Sequence, residues 1–115
     1  MASLESPSSD YSKKHILRLI RALNAFGFFI VDTEIEEPNP FYSMLSRMNL
    51  AKYFQSKSIG KRFVLISINE NLCKLKCREE CSKSDSDCTL KCVNSCIARM
   101  RAEVIEALKK ALTRN

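Results

Sequence analysis

Ile16, Leu17, Leu19, Ile20 and Leu23 recur at intervals of three and four within SKKHILRLIRAL, the spacing of a broad apolar helix face. The pattern predicts a helix from Ser12 to Leu23, ended by Asn24 and Gly27 and preceded by a disordered polar tail over residues 1–10. The period then shortens to two. FGFFIVDTEIEE is rich in aromatic and β-branched residues and sets Val31, Thr33 and Ile35 against Asp32, Glu34 and Glu36, which reads as a strand. Pro38 and Pro40 bar both helix and ladder there. Asn39 caps a second helix that carries Pro40 in its first turn. Phe41, Met44, Leu45, Met48, Ala51 and Tyr53 or Phe54 keep helical spacing through PFYSMLSRMNLAKYFQSK, with Asn49 placed to split the run in two. SIGK is a turn, and RFVLISIN is a second, well-buried strand in which Phe63, Leu65 and Ile68 stand against Val64 and Ile66. From Asn69 onward everything reads as helix, apart from the turn SKSDSD.

All six cysteines lie in that last stretch, at 73, 77, 81, 88, 92 and 96. Each trio is spaced i, i+4, i+8, which lines three sulfurs along one helix face. Ser84 or Asp85 can cap the helix that follows the turn. Folded there as an antiparallel hairpin, the facing positions share a constant index sum. Cys73 then meets Cys96, Cys77 meets Cys92 and Cys81 meets Cys88, with no cysteine left over. Six cysteines allow 15 connectivities, and helix geometry selects this nested one. Three disulfides are the leading chemical reading. The alternative is a metal seam in which Cys73, Cys77, Cys81, Cys88, Cys92 and Cys96 hold Cu(I), Zn(II) or an iron–sulfur cluster. The CxxC spacing of zinc knuckles is absent, and the one histidine, His15, is remote in sequence. Reduced buried thiols or redox sensors are a third possibility.

Cys73-x3-Cys77 and Cys92-x3-Cys96, fourteen residues apart, resemble the twin CX3C motif of the small translocase chaperones of the mitochondrial intermembrane space. The resemblance spans residues 70–115. That family has no inner pair like Cys81 and Cys88 and no preceding strand like RFVLISIN.

The final helix, from about Asp87 to Thr113, carries a second stripe. Leu90, Val93, Ile97, Met100, Val104, Ala107 and Ala111 step by three and four, centred roughly 120° from the cysteine stripe at about 100° per residue. One face is stapled to its hairpin partner. The other must pack on the N-terminal module or on a second copy, so a homodimer through this helix is expected. Residues beyond Met100 outrun the partner helix, and Ile105, Leu108 and Leu112 widen the apolar face there.

These elements make one domain over residues 11–115 of α+β class, mostly helical. A small winged-helix-like module (11–68) precedes a cysteine-rich antiparallel helical hairpin (69–115). The length of 115 residues and the ordinary apolar share of 45% fit a single modest core. No segment is long enough to span a bilayer, since the longest apolar run is AFGFFIV, so no membrane association is expected. The N-terminus lacks the charged and apolar regions of a secretory signal. Three disulfides without such a signal fit the cytoplasm of a hyperthermophilic archaeon or of its virus, and a thermostable protein. The alternative is an oxidising compartment such as the mitochondrial intermembrane space.

Charge adds a partner. Residues 1–37 carry four basic and six acidic groups, residues 38–66 five basic and none acidic, and residues 67–115 ten basic and seven acidic, for a net charge of +6. An unopposed basic middle points to a polyanion. The element order resembles a winged helix, in which NLAKYFQSKSIGKR (49–62) would be the DNA-reading helix. Arg47, Lys52, Gln55, Lys57, Lys61 and Arg62 are the candidate nucleic-acid contacts, with Ser56 beside them. Lys13, Lys14, Arg18 and Arg21 on the first helix can extend a phosphate-binding patch. The function expected is therefore DNA binding, by a dimeric winged-helix-like regulator. A cysteine-lined metal protein and a structural or adaptor module are the alternatives. There is no Gly-rich phosphate loop, HExxH or nucleophile elbow, so no enzyme and no cofactor is expected. Asp32, Glu34 and Glu36 read first as the solvent side of an edge strand or a counterweight to the basic segment, with a hard cation as the alternative ligand.

Overall fold

In the computed structural model of the chain, residues 2–82 and 84–113 are described, with side chains from Lys13 onward. The tail read for residues 1–10 falls outside the described side chains. The elements run α1 (Ala2–Ala25), β1 (Phe28–Asp32), α2 (Asn39–Arg47), a 3-10 turn (Ala51–Tyr53), β2 (Phe54–Ile59), β3 (Phe63–Ile68), α3 (Glu70–Glu80) and α4 (Ser86–Leu112). The three strands form one antiparallel sheet in the order β1-β3-β2. The fold is α+β and mostly helical, as its patterning predicts.

Helix ends explain where the chain turns. α1 buries Ile16, Leu19, Ile20 and Leu23. It stops because Gly27, at φ +82°, donates its N–H back to the Leu23 carbonyl at 3.0 Å, a left-handed cap that only glycine enters freely. A Cβ at that position would sit 3.0 Å from the Arg101 guanidinium. α2 buries Phe41, Met44 and Leu45 and ends at Asn49, which takes φ +60°. Leu50 N–H reaches the Leu45 carbonyl at 2.8 Å and Asn49 N–H the Ser46 carbonyl at 3.1 Å, the paired bonds that close a helix through a left-handed residue.

That cap overturns one expectation. No helix spans 49–62. After Asn49 the chain makes a single 3-10 turn and then enters β2. The apolar periodicity stops at Phe54, and QSKS offers no face to bury. Strand pairing with β3 settles the segment, as tertiary context overrides weak local preference. β2 is the third strand of the sheet and precedes β3 in the chain. β1 is also shorter than FGFFIVDTEIEE. The Asp32 carboxylate accepts from the Glu34 N–H at 3.1 Å, and the Ile35 and Glu36 N–H groups bond the Asp32 carbonyl. This Asx-type turn ends the strand and leaves Ile35 77% exposed.

The inner face of the sheet carries Phe29, Val31, Ile66 and Ile68, all buried, with Val64 and Phe54 packed at their side. Phe63 and Leu65 point outward as a pair, whereas Ile68, grouped with them by the sequence alternation, shares the inner face with Val64 and Ile66. α1 and α2 cover the inner face, and the last third of α4 closes the core with Val104, Ile105 and Leu108. Ile97, Met100, Ala107, Ala111 and Leu112 pack against the same core. The lower part of the second α4 stripe is thus spent inside its own chain, whereas Leu90 is 60% exposed.

α3 and α4 form the antiparallel hairpin, with Asn69 and Asp85 as N-caps accepting from the N–H groups of Asn71 and Cys88. Three disulfides join Cys73 to Cys96, Cys77 to Cys92 and Cys81 to Cys88, the nested pairing that the spacing selects, with Cα separations of 5.6, 5.8 and 5.9 Å. The hairpin projects as an arm. The molecule measures 58 × 35 × 22 Å and its radius of gyration is 16.3 Å, against about 13 Å for a compact chain of this length.

Two outcomes follow. Leu108→Ala should lower stability by about 2–5 kcal/mol and Leu90→Ala by less than about 0.5 kcal/mol, read by urea unfolding of the oxidised chain. The only buried residues of α3 are Cys73 and Cys77, so the arm has sulfur where a core would be. Reduction should therefore lower hydrogen-exchange protection in Glu70–Glu80 by roughly tenfold or more, given ~2–4 kcal/mol for a bridge, while the amides paired between β1 and β3 keep theirs.

Candidate nucleic-acid interface

The six residues expected to meet nucleic acid lie along one path rather than on one helix. Arg47 sits in the last turn of α2, Lys52 on the 3-10 turn, Gln55 and Lys57 on β2, and Lys61 and Arg62 in the β2–β3 turn. Gly60 enters that turn at φ +62° with open space around it. β2 is an edge strand, and six residues at about 3.3 Å each carry the path over roughly 20 Å, the rise of about six base pairs. Alternation puts Gln55 and Lys57 on the outer face of the sheet and Ser56 on the opposite one. The Gln55 amide donates to Ser67 Oγ at 3.4 Å across the ladder.

The cations divide into two sets. Arg47, Lys52, Lys57 and Lys61 make no ion pair with another described residue. Lys52 Nζ lies 5.1 Å from the centre of the Tyr53 ring, and all four side chains are exposed. Arg62 is instead bound within the chain. Its Nε and Nη2 each donate to the Asp32 carboxylate at 2.9 Å, and Nε stands 2.7 Å from Glu34 Oε2. Its guanidinium also lies 5.3 Å from the centre of the Phe63 ring. A phosphate would have to displace two carboxylates to take Arg62. Arg18 is committed in the same way. It grips Glu36 through both terminal nitrogens at 2.7 and 2.6 Å and lies over the Phe29 and Phe41 rings.

The acids of DTEIEE are therefore arginine partners. Hydrogen bonding from Arg62 holds the Asp32 carboxyl below the usual carboxylate range, and hydrogen bonding from Arg18 does the same for Glu36, against an opposing effect of burial in each. The bond to Asp32 in turn raises Arg62. No cluster of three or more His, Cys, Asp or Glu side chains among the described residues is arranged to hold a metal ion, and the six sulfurs are consumed in disulfides. His15 is buried edge-on against Phe41, with ring centres 4.3 Å apart. No helix among the described residues is long and apolar enough to cross a membrane.

The sequence does not reveal the Asp32–Arg62–Glu34 clamp, because it joins groups about thirty residues apart. It does not reveal the outer face of the sheet either, where Phe28, Ile30, Ile59 and Phe63 are 37–45% exposed. Phe28, Ile30 and Phe63 lie in strand patterning and read as core until the pairing register is known, and Ile59 reads as part of the SIGK turn rather than of β2.

Because both carboxylates are depressed in the folded state, their stabilisation is fully present above about pH 5 and is lost progressively as pH falls below it. Urea unfolding at pH 7 and pH 3 should show a fall in stability for the native chain, and a smaller fall for Asp32→Asn combined with Glu36→Gln.

No protein family matches the chain, and neither curated proteins nor solved structures give a significant match to it.

Proposed function

We propose that the chain binds nucleic acid through the phosphate backbone, with the β2–β3 hairpin and its flanks as the contact surface. The observation that carries this is the line of four exposed cations, Arg47, Lys52, Lys57 and Lys61, in a segment from 38 to 66 that holds no acid at all. The helix–strand–helix–turn–strand–strand order with sheet order β1-β3-β2 supports a winged-helix-like module whose hairpin is the wing. The position of a reading helix is taken by three residues of 3-10 turn. Such a turn presents too little surface for major-groove readout, so binding is sequence-tolerant and salt-sensitive. The reading includes no chemical step.

The stapled arm favours a second reading, as an adaptor that binds another protein. Leu75 and Leu90 are 58% and 60% exposed. A groove of about 460 Å³ runs between the two helices, lined by Thr89, Leu90 and Val93 with Lys74 and Arg78 at its side.

Fluorescence anisotropy with a duplex of about twenty base pairs, titrated over salt, separates the readings. The native chain should bind at low salt, with affinity falling steeply as salt rises. Lys52→Ala with Lys57→Ala and Lys61→Ala should flatten the slope of log K against log salt by about 2–3, roughly one per lysine. Asp32→Asn with Glu34→Gln should tighten binding by releasing Arg62. Absence of binding at low salt would sink the nucleic-acid reading and leave the adaptor.

A further inference from the structure

β2 is an edge strand, and its register decides what its open side offers. In an antiparallel ladder, residue pairs that exchange backbone hydrogen bonds alternate with pairs that do not. The Asn69 N–H donates to the Tyr53 carbonyl at 2.8 Å, which makes Tyr53 and Asn69 a bonded pair. Counted along the register, Gln55 with Ser67 and Lys57 with Leu65 are bonded pairs as well. Phe54, Ser56 and Ser58 fall between them. Their N–H and C=O groups therefore point away from β3, to the open side of the sheet.

A pocket of about 210 Å³ lies at that side, lined by Tyr42 and Leu45 of α2, Ala51 of the 3-10 turn, Phe54 and Ser56 of β2, and Ile66 of β3. Leu45 and Ile66 are buried, Tyr42 and Phe54 half-buried, and Ala51 and Ser56 exposed. The walls are thus apolar and aromatic, and Ser56 brings a backbone donor and acceptor to one side. Drug-sized ligands occupy pockets of about 300–1,000 Å³, so this one suits a single planar ring system. Cations flank it on the chain. Arg47 follows Leu45 on α2, Lys52 is next to Ala51 and Lys57 next to Ser56. None of the three makes an ion pair with another described residue.

We infer that this pocket takes one unpaired nucleobase, whose neighbouring phosphates meet Arg47, Lys52 and Lys57. The inference rests on the nucleic-acid reading and deepens it, because the substrate class becomes single-stranded nucleic acid in preference to duplex. A base inside a duplex must be unpaired and unstacked before it can enter a pocket, whereas an unpaired strand splays its bases out at little cost. The combination of groups selects this ligand. An uncharged apolar molecule would make no use of the three flanking cations, and a small anion would gain nothing from Tyr42, Leu45, Phe54 and Ile66. A base joined to phosphate uses both. Every base has a π-face for an aromatic wall, so the pocket is tolerant of sequence. The N–H and C=O of Ser56 give the polar edge of the base a donor and an acceptor in place of water.

Fluorescence anisotropy on the oxidised full chain tests it with a short mixed-sequence single strand, the duplex of that sequence, and an abasic strand of the same length. The base-bearing strand should bind roughly 5- to 150-fold tighter than the abasic one, the worth of a single stacked base, and tighter than the duplex. The two single strands should share one salt slope, since they carry the same phosphates. Ala51→Leu fills the pocket and leaves every cation in place. It should bring the base-bearing strand down to the abasic affinity with the slope kept, and Tyr42→Leu should act in the same direction. On the native chain, the methyl NMR signals of Ala51 and Ile66 should shift with the base-bearing strand and stay in place with the abasic one. Equal affinity for the two single strands, with those methyl signals unmoved, overturns the pocket and leaves the phosphate reading standing. Displacement of the strand by an equal concentration of adenosine monophosphate overturns the assignment to a strand and gives the site to free nucleotides. Absence of binding to all three nucleic acids at low salt overturns both the pocket and the reading beneath it.

Discussion

Three sulfur–sulfur bonds stand where a helical hairpin of this length would ordinarily keep leucines. α3 buries nothing but Cys73 and Cys77, and an isolated helix of eleven residues is marginal in water. Its place against α4 is therefore held covalently. That register has consequences well beyond the arm. α4 starts at the arm's tip and runs 27 residues, or about 40 Å, back to the sheet, where Val104, Ile105 and Leu108 close the core over α1. The ladder of bridges sets the angle at which the helix returns, and the nested geometry makes it stiff. Once Cys77 is joined to Cys92, each neighbouring bridge closes only a short ring. Each then adds less through chain entropy than it would alone and acts mainly by fixing direction.

The head is organised by a different rule. Its sheet packs one face on α1 and α2 and leaves the other to solvent, and the two rows of side chains on that outer face are not alike. Toward β2 the row is polar and basic. Toward β1 it is apolar and ends in the Asp32–Arg62–Glu34 clamp. The clamp lies between these two rows. By engaging Arg62 it takes one cation out of the basic segment between residues 38 and 66, and it neutralises acids at the end of β1. Its energy at an exposed site is small, so its importance lies in which charges remain available rather than in stability.

Much of this was legible from residue spacing, and the limits of that legibility are physical. The cysteine pairing was readable because two helical trios admit only one antiparallel register. α1, α2 and α4 were readable because their apolar residues repeat over several turns. The failures cluster between Asn49 and Arg62. Asn49 is a tolerable helix residue and also a good left-handed cap, and nothing local decides between the two. QSKS has no periodicity, and β2 exists because β3 lies beside it, which is a tertiary fact. Asp32 was readable as an edge-strand acid or a counterweight to the basic segment and Arg62 as a phosphate contact, but not which acid meets which base. Their pairing arises only when β1 and β3 come together.

The loss of a helix from 49–62 changes the kind of recognition this surface can perform. A helix would project four or five side chains into a groove from one rigid face and read base edges. A hairpin edge presents one lysine at mid-strand and one at the turn, about four residues apart, with Arg47 and Lys52 behind them. Under the proposed reading those cations would engage phosphates, and they have little to distinguish one base pair from another. If the proposed reading holds, selectivity among nucleic acids would have to come from the shape and deformability of the backbone, because a hairpin edge offers too few side chains to read base edges.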